Sequence, residues 1–147
     1  MKLLLVRHAQ SSYLSADDFS RSITEQAREE LYEKLIKIKD KIGTDDIGIF
    51  SSPALRTKQT AKAFQDVLNV DGKIHEMRSI MYGDLSSTID ELEAHGHEFN
   101  IVVGHQPTMS FWMQEITGNG KPFSPATMAI IDLETKNTLF FSTIEDL

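Results

Sequence analysis

The sequence contains no cysteine, and its 15 lysine and arginine residues are outnumbered by 22 aspartate and glutamate residues. The absence of cysteine excludes disulfides, thiolate nucleophiles and cysteine-based metal sites. The net charge of −7 disfavours nucleic acid and anionic membranes as partners, because both are negatively charged. An anionic substrate is also repelled by such a chain unless a few cations are gathered in one pocket.

Long apolar runs, internal repeats and low-complexity segments are absent as well. The apolar run at the N-terminus, Leu3 to Val6, is far too short for a signal peptide or a membrane span, and we therefore expect a cytoplasmic protein. The 147 residues, of which 40% are hydrophobic and 25% charged, are ordinary for one soluble globular domain. We expect a single domain over residues 1–147.

Apolar strands and amphipathic helices alternate along the chain. Continuous apolar runs predict strands at 2–6, 47–50 and 100–104. Helical spacing of apolar residues predicts helices at 24–42, 53–68, 87–95 and 107–118, with Thr24 as the first N-cap and Pro53 as the first residue of the second helix. The last apolar runs, at 128–133 and 138–141, predict an antiparallel pair. This order is typical of a three-layer α/β/α sandwich with a mainly parallel sheet.

Basic side chains follow three of the predicted strands. Arg7 and His8 follow the first strand, Arg56 lies shortly after the second, and His105 follows the third. Because ligands of such sheets bind at the carboxyl ends of the strands, we expect these side chains to meet at one edge. Arginine offers paired donors to phosphate oxygens, and a neutral imidazole can attack phosphorus. The sequence therefore predicts a phosphate site with a histidine nucleophile.

A metal site is the alternative for two other histidines. His95 and His97 alternate along the chain, as chelating ligands sometimes do. Two histidines alone do not complete a set of metal ligands. We therefore interpret this segment as an exposed loop and expect no metal.

Four segments resemble motifs of the histidine phosphatase superfamily, also called phosphoglycerate mutase-like. LLVRHAQSS at 4–12 is similar to its first motif, in the form found in the small SixA-like branch. The other three segments are DFSRSIT at 18–24, SSPALRTKQTA at 51–61 and VVGHQP at 102–107. The likeness spans nearly the whole chain, with the segments in the family's order.

The resemblance implies a phosphoglycerate mutase-like fold and a metal-independent phosphatase without a cofactor. It implies that His8 is the nucleophile and carries a covalent phosphoryl group. Arg7, Arg56 and His105 would form the phosphate pocket around it.

Two more residues are assigned by the same resemblance. Arg21 either contacts the outer part of the substrate or forms a surface salt bridge. The backbone N–H of Gln106 is expected to reach a phosphate oxygen.

The proton donor is the point at which the sequence departs from the family. Larger relatives carry a glutamate, the general acid, shortly before a Tyr-Gly pair, but here Ser79, Ile80 and Met81 precede Tyr82 and Gly83. The candidate donors are therefore Asp84 and Glu76, and a site without a donor is the third possibility.

The short chain leaves little room for a lid between the second and third motifs, so we expect an open site. Such a site suits a phosphorylated protein or a bulky small phosphorylated molecule as substrate. The resemblance then favours a phosphatase acting on a phosphohistidine protein or a phosphomonoester. A non-catalytic phosphate-binding module is the alternative, and a phosphomutase is less favoured because an open site retains a phosphoryl group poorly.

Overall fold

One six-stranded sheet organises the computed structural model, which describes residues 1–14 and 17–147. The strands are β1 (Lys2–Arg7), β2 (Ile47–Ser51), β3 (His75–Glu76), β4 (Phe99–Gly104), β5 (Met128–Asp132) and β6 (Asn137–Ser142). Their order across the sheet is β3-β2-β4-β1-β5-β6. The first four strands are parallel, whereas β5 is antiparallel to β1 and β6 is antiparallel to β5.

Helices cover both faces of this sheet. They are α1 (Glu25–Lys34), α2 (Lys39–Ile42), α3 (Leu55–Leu68), α4 (Arg78–Tyr82), α5 (Leu85–His95) and α6 (Thr108–Thr117). Side chains of β1 alternate between the two cores: Leu4 and Val6 pack with α1 and α3, whereas Leu3 and Leu5 pack with α4, α5 and α6. The predicted three-layer α/β/α sandwich with a mainly parallel sheet is confirmed.

The first predicted helix, 24–42, is divided into three segments. A 3₁₀ segment, Leu35–Ile38, connects α1 to α2. Leu35 and Ile38 are both fully buried, and a 3₁₀ helix places residues three apart on the same side. Thr24 is the predicted N-cap, since its side chain accepts a hydrogen bond from the backbone of Ala27 at 3.1 Å.

The predicted start of the second helix is wrong by two residues. Strand β2 extends to Ser51, and α3 begins at Leu55 with Ala54 as its N-cap, so Pro53 lies outside the helix. The hydroxyl of Ser52 instead forms hydrogen bonds with the side chains of Thr57 and His105. Strand β3 and helix α4 were not predicted, because they are too short to show periodicity in the sequence.

The other predicted elements are found with shifts of one or two residues at their ends. The helix predicted at 87–95 begins at Leu85, because Asp84 is its N-cap and accepts a hydrogen bond from the backbone of Ser87. The predicted antiparallel pair is β5 and β6. Within the described residues, every helix is too short or too polar to cross a membrane.

Candidate active site

His8 lies directly beyond the carboxyl end of β1 and is only 7% exposed. Its Nδ1 is 2.8 Å from the carbonyl oxygen of Ala9, which can only accept a hydrogen bond. Nδ1 therefore carries the proton in the neutral ring, and the lone pair is on Nε2. Nε–H of Arg56 donates to that atom at 3.3 Å. A histidine in this tautomer has its nucleophilic nitrogen beside a guanidinium.

Main-chain contacts from three directions fix the segment that carries His8. The His8 N–H donates to the carbonyl of Gly104, at the end of β4. The Ala126 N–H, just before β5, lies within hydrogen-bond distance of the carbonyls of Arg7 and His8. On the other side, the Ala9 N–H donates to the hydroxyl of Thr60 on α3 at 3.0 Å. The position of His8 is thus determined by the sheet and by α3 together.

Arg56 is the second residue of α3 and is 7% exposed. Its Nη1 donates to the backbone carbonyl of Asp18 at 2.8 Å. Its Nη2 lies 3.5 Å from Nδ1 of His105 and 3.5 Å from Oδ2 of Asp18. Nε and Nη2 thus contact the two histidines, and the Asp18 backbone holds the remaining nitrogen. A guanidinium held in this way presents paired donors to an anion between the histidine rings.

His105 follows β4 and lies beside His8, with the ring centroids 5.6 Å apart. Its Nε2 is 2.7 Å from the hydroxyl of Ser52, which is 2.7 Å from the hydroxyl of Thr57. The Thr57 proton is directed at the carbonyls of Ser52 and Ala54, so Ser52 donates to Thr57 and Nε2–H of His105 donates to Ser52. The Nδ1 lone pair of neutral His105 then faces Arg56.

Arg7 and Arg21 contribute two more cations with unused donors. Nη1 of Arg7 donates to the carbonyl of Phe123 at 2.9 Å. Nε of Arg7, and Nε and Nη1 of Arg21, are buried and have no hydrogen-bond partner in residues 1–14 and 17–147. Nε of Arg21 lies 3.0 Å from Oδ1 of Asp18 as an ion pair, without hydrogen-bond geometry, and the guanidinium stacks on the ring of Tyr13. Buried N–H groups of this kind stabilise an anion.

The electrostatics keep both histidines neutral. Burial lowers the pKa of His8 to about 4, against the bond to Ala9, and the charges of Arg56, His105 and Arg7 lower it further. Burial also lowers the pKa of His105 to about 4, with Arg56 as the next largest cause. His8 is therefore unprotonated at neutral pH, as a nucleophile must be.

These shifts predict that the fold loses stability in mild acid. The ordinary pKa of histidine is 6.5, so between pH 6.5 and about 4 the unfolded chain takes up protons that the folded chain does not. As the pH is lowered through this window, His8 decreases the free energy of unfolding by roughly 1.4 kcal/mol per pH unit. His105 acts in the same direction. Urea titrations at pH 6.5, 5.5 and 5.0 measure the slope. His8→Gln should flatten it, and a slope in the variant equal to that of the wild type would contradict the prediction.

The remaining predicted residues lie outside this cluster of contacts. The side chain of Gln106 binds Ser110 on α6, and the role of its backbone N–H stays a prediction. Asp84 caps α5, and hydrogen bonds from the backbone and hydroxyl of Ser87 lower its pKa, so it lacks a proton at neutral pH. Glu76 ends β3 and forms a 3.2 Å ion pair with Lys58.

The alternating histidines form a small surface cluster. His97 bonds to Asp46 at 2.7 Å, and the rings of His95 and His75 are 4.3 Å apart. Within the part of the chain that the structure describes, histidine and carboxylate side chains form no group of three that could hold a metal.

Two residues of the site were missed by the sequence analysis. Ser52 orients His105, and Asp18 contacts Arg56 through both its backbone and its side chain. The sequence signal for Ser52 is the Ser-Ser pair at the end of β2, because polar side chains at the end of a buried strand need hydrogen-bond partners. Asp18 gives no comparable signal, since it is joined to Arg56 only by the tertiary fold.

No protein-family model matches the sequence, and no curated protein matches it either. Solved structures do match. A protein from Agrobacterium tumefaciens assigned as the phosphohistidine phosphatase SixA is 24% identical, with a TM-score of 0.77 over 97% of each chain. The protein histidine phosphatase SixA in complex with tungstate is 22% identical, with a TM-score of 0.78 over 97% of this chain and 94% of that one.

The α-ribazole phosphatase from Shigella flexneri is more distant, at 15% identity and a TM-score of 0.68 over 94% and 93% of the two chains. The protein thus shares the fold of two SixA phosphatases and an α-ribazole phosphatase. The fold is the phosphoglycerate mutase-like histidine phosphatase fold.

Proposed function

We propose that the protein is a metal-independent phosphatase that uses His8 as a covalent nucleophile. The observation that carries the proposal is the geometry of that ring: Nδ1 donates to Ala9, and the Nε2 lone pair lies beside Arg56. Two histidines and three arginines gather at one sheet edge of a chain whose net charge is −7. This local excess of cations is the condition under which an acidic protein binds a phosphorylated substrate. Tungstate, an oxyanion, is the ligand of one SixA structure with this fold.

The reaction has two displacements. The Nε2 lone pair of His8 forms a bond to phosphorus, and the bond from phosphorus to the leaving group breaks with its electron pair remaining on the leaving group. A water oxygen then bonds to phosphorus, the P–Nε2 bond breaks, and its electron pair returns to Nε2. Both protons of the water stay with the product, which leaves as dihydrogen phosphate and titrates in solution.

The cations act on the charge of the phosphoryl oxygens in both transition states. Burial lowers the pKa of Arg7 and of Arg56, because their charges are poorly solvated, and a phosphoryl dianion offsets that cost. The same dianion raises the pKa of His105, so that its Nδ1 takes up a proton. The Nδ1–H group then donates a hydrogen bond to a phosphoryl oxygen. These three residues and Arg21 form the proposed binding pocket.

The substrate is proposed to be one whose leaving group departs without a general acid. Asp84 is an N-cap with a lowered pKa, and Glu76 is paired with Lys58. The histidine of a phosphohistidine leaves as a neutral imidazole when its other ring nitrogen is protonated. A phenolate is stable enough to leave without a proton donor. SixA neighbours are protein histidine phosphatases by name, which favours a phosphohistidine protein.

A leaving-group series tests this function. With excess chelator present, kcat/KM is measured for aryl phosphates of increasing phenol pKa and for one alkyl phosphate. We expect turnover without metal, and a steep fall in rate toward the alkyl phosphate, since a general acid typically contributes about 10²–10⁴-fold.

A flat series would mean that an effective acid is present, and Asp84→Asn and Glu76→Gln would then identify it. Phosphate binding without turnover of any compound would instead indicate a non-catalytic phosphate-binding module. Activity lost in chelator and restored by a divalent metal would contradict the proposed mechanism.

A further inference from the structure

A carboxylate lies at the outer end of the proposed phosphate pocket. The side chain of Asp18 is 76% exposed, whereas His8 and Arg56 are each 7% exposed. Its Oδ2 is 3.5 Å from Nη2 of Arg56, and its Oδ1 is 3.0 Å from Nε of Arg21. The pocket therefore has a buried basic floor and an acidic side chain at its mouth.

The direction of the reaction places the leaving group at the same end. Attacking and leaving atoms lie roughly in line in phosphoryl transfer. Because His8 is at the buried end, the leaving group is on the far side of phosphorus, toward solvent. Within the described residues, Asp18 supplies the only carboxylate charge that acts on the pKa of His105, which it raises.

We infer that Asp18 selects substrates with a positively charged leaving group, such as phosphoramidates with a protonated nitrogen base. The inference rests on the proposed phosphatase function. Arg7, Arg21 and Arg56 repel a cationic leaving group, and the Asp18 carboxylate offsets that repulsion and accepts a hydrogen bond from its N–H. A neutral leaving group gains nothing from Asp18, and the carboxylate charge weakens binding of its phosphoryl dianion.

The chemistry of an N–P bond explains why this selection is useful. When the ring of a phosphoimidazole is protonated on its free nitrogen, the P–N bond breaks with its electron pair remaining on the other nitrogen, and neutral imidazole departs. The proton stays where it was. Asp18 thus acts by favouring the protonated substrate in the pocket, and it transfers no proton itself.

Asp18→Asn tests the inference with two substrates, phosphoimidazole and 4-nitrophenyl phosphate. The variant removes one charge but retains the backbone carbonyl that holds Nη1 of Arg56. We expect kcat/KM to fall about tenfold for phosphoimidazole and to rise up to about threefold for the aryl phosphate, within the range of a partly exposed charge contact. The ratio between the two substrates is the decisive quantity, because a merely structural defect lowers both rates together.

Asp17→Asn is the matched control, with the same loss of charge one residue away. The Asp17 side chain accepts from the backbone of Phe19 at 3.1 Å, and asparagine can replace that bond. A ratio that is unchanged in Asp18→Asn, or that falls equally in both variants, overturns the inference while leaving the phosphatase intact. If the wild type turns over neither substrate and no phosphoenzyme forms, the proposed function fails and this inference falls with it.

Discussion

His8→Ala is expected to abolish the phosphoenzyme and to lower turnover by roughly 10⁴- to 10⁶-fold, the range found when a covalent nucleophile or its direct partner is removed from an enzyme. His105 cannot replace this lone pair in the proposed mechanism, because its Nδ1 takes up a proton when the phosphoryl dianion is bound and then has no lone pair to offer. Brief incubation with ³²P-labelled phosphoimidazole, quenching and electrophoresis should show a labelled chain. Its label should be lost in acid and kept in alkali, as for a phosphoramidate.

His97→Ala is the control for this experiment. His97 binds Asp46 just before β2, at the opposite end of the sheet from His8, so its removal should leave labelling intact. A His8→Ala protein that still acquires acid-labile label would show that another group is the nucleophile. Loss of label in both variants, with loss of folding by circular dichroism, would make the comparison uninformative about His8, and His8→Gln then replaces His8→Ala.

Arg56→Ala should slow turnover about 10²- to 10³-fold, the cost typical of removing one preorganised donor from a transition state. Phosphate or vanadate inhibition should weaken in the same variant, because Nε and Nη2 contact the space between His8 and His105. The loss of a neighbouring positive charge also raises the pKa of His8, which adds to the loss of activity below neutral pH. Inhibition constants measure the loss of anion binding, and kcat/KM measures the loss of turnover.

Two further variants sharpen the result. Arg56→Lys keeps the charge but loses the planar fork, so it should recover only a small part of the rate. Arg28→Ala removes an arginine of α1 outside the site and should leave kinetics near those of the wild type. Near-normal kinetics in Arg56→Ala would contradict the assignment of Arg56 to the phosphate pocket.

The parts of the fold that follow from local pattern were predictable from sequence. Continuous apolar runs predicted β1, β2 and β4, and Thr24 marked the start of the first helical region because capping is a local property. β3 and α4 are short, and they are held by tertiary contacts that leave no periodicity in the sequence. The start of α3 was misplaced because Ser52, a good N-cap by type, is engaged by other side chains.

The site divides in the same way. His8, Arg7, Arg56 and His105 could be placed at one edge from strand ends alone, since parallel strands bring their carboxyl ends together. The direction in which each ring nitrogen points depends on partners distant in sequence or on backbone geometry, and neither is visible in a motif. Asp18 is the clearest example, because a tertiary contact alone makes it part of the pocket.

The partner that fixes the tautomer of His8 is a main-chain oxygen, that of Ala9. In many hydrolases an acidic side chain orients the catalytic histidine, and replacing that side chain lowers activity strongly. Here no amino-acid exchange at a distant position can delete the acceptor, because every residue type carries a carbonyl. With His8 as the proposed nucleophile, a saturation mutagenesis screen would identify His8 and the arginines beside it, but no residue that orients the His8 ring. Fewer residues would therefore be found by mutation than take part in the contacts of this site.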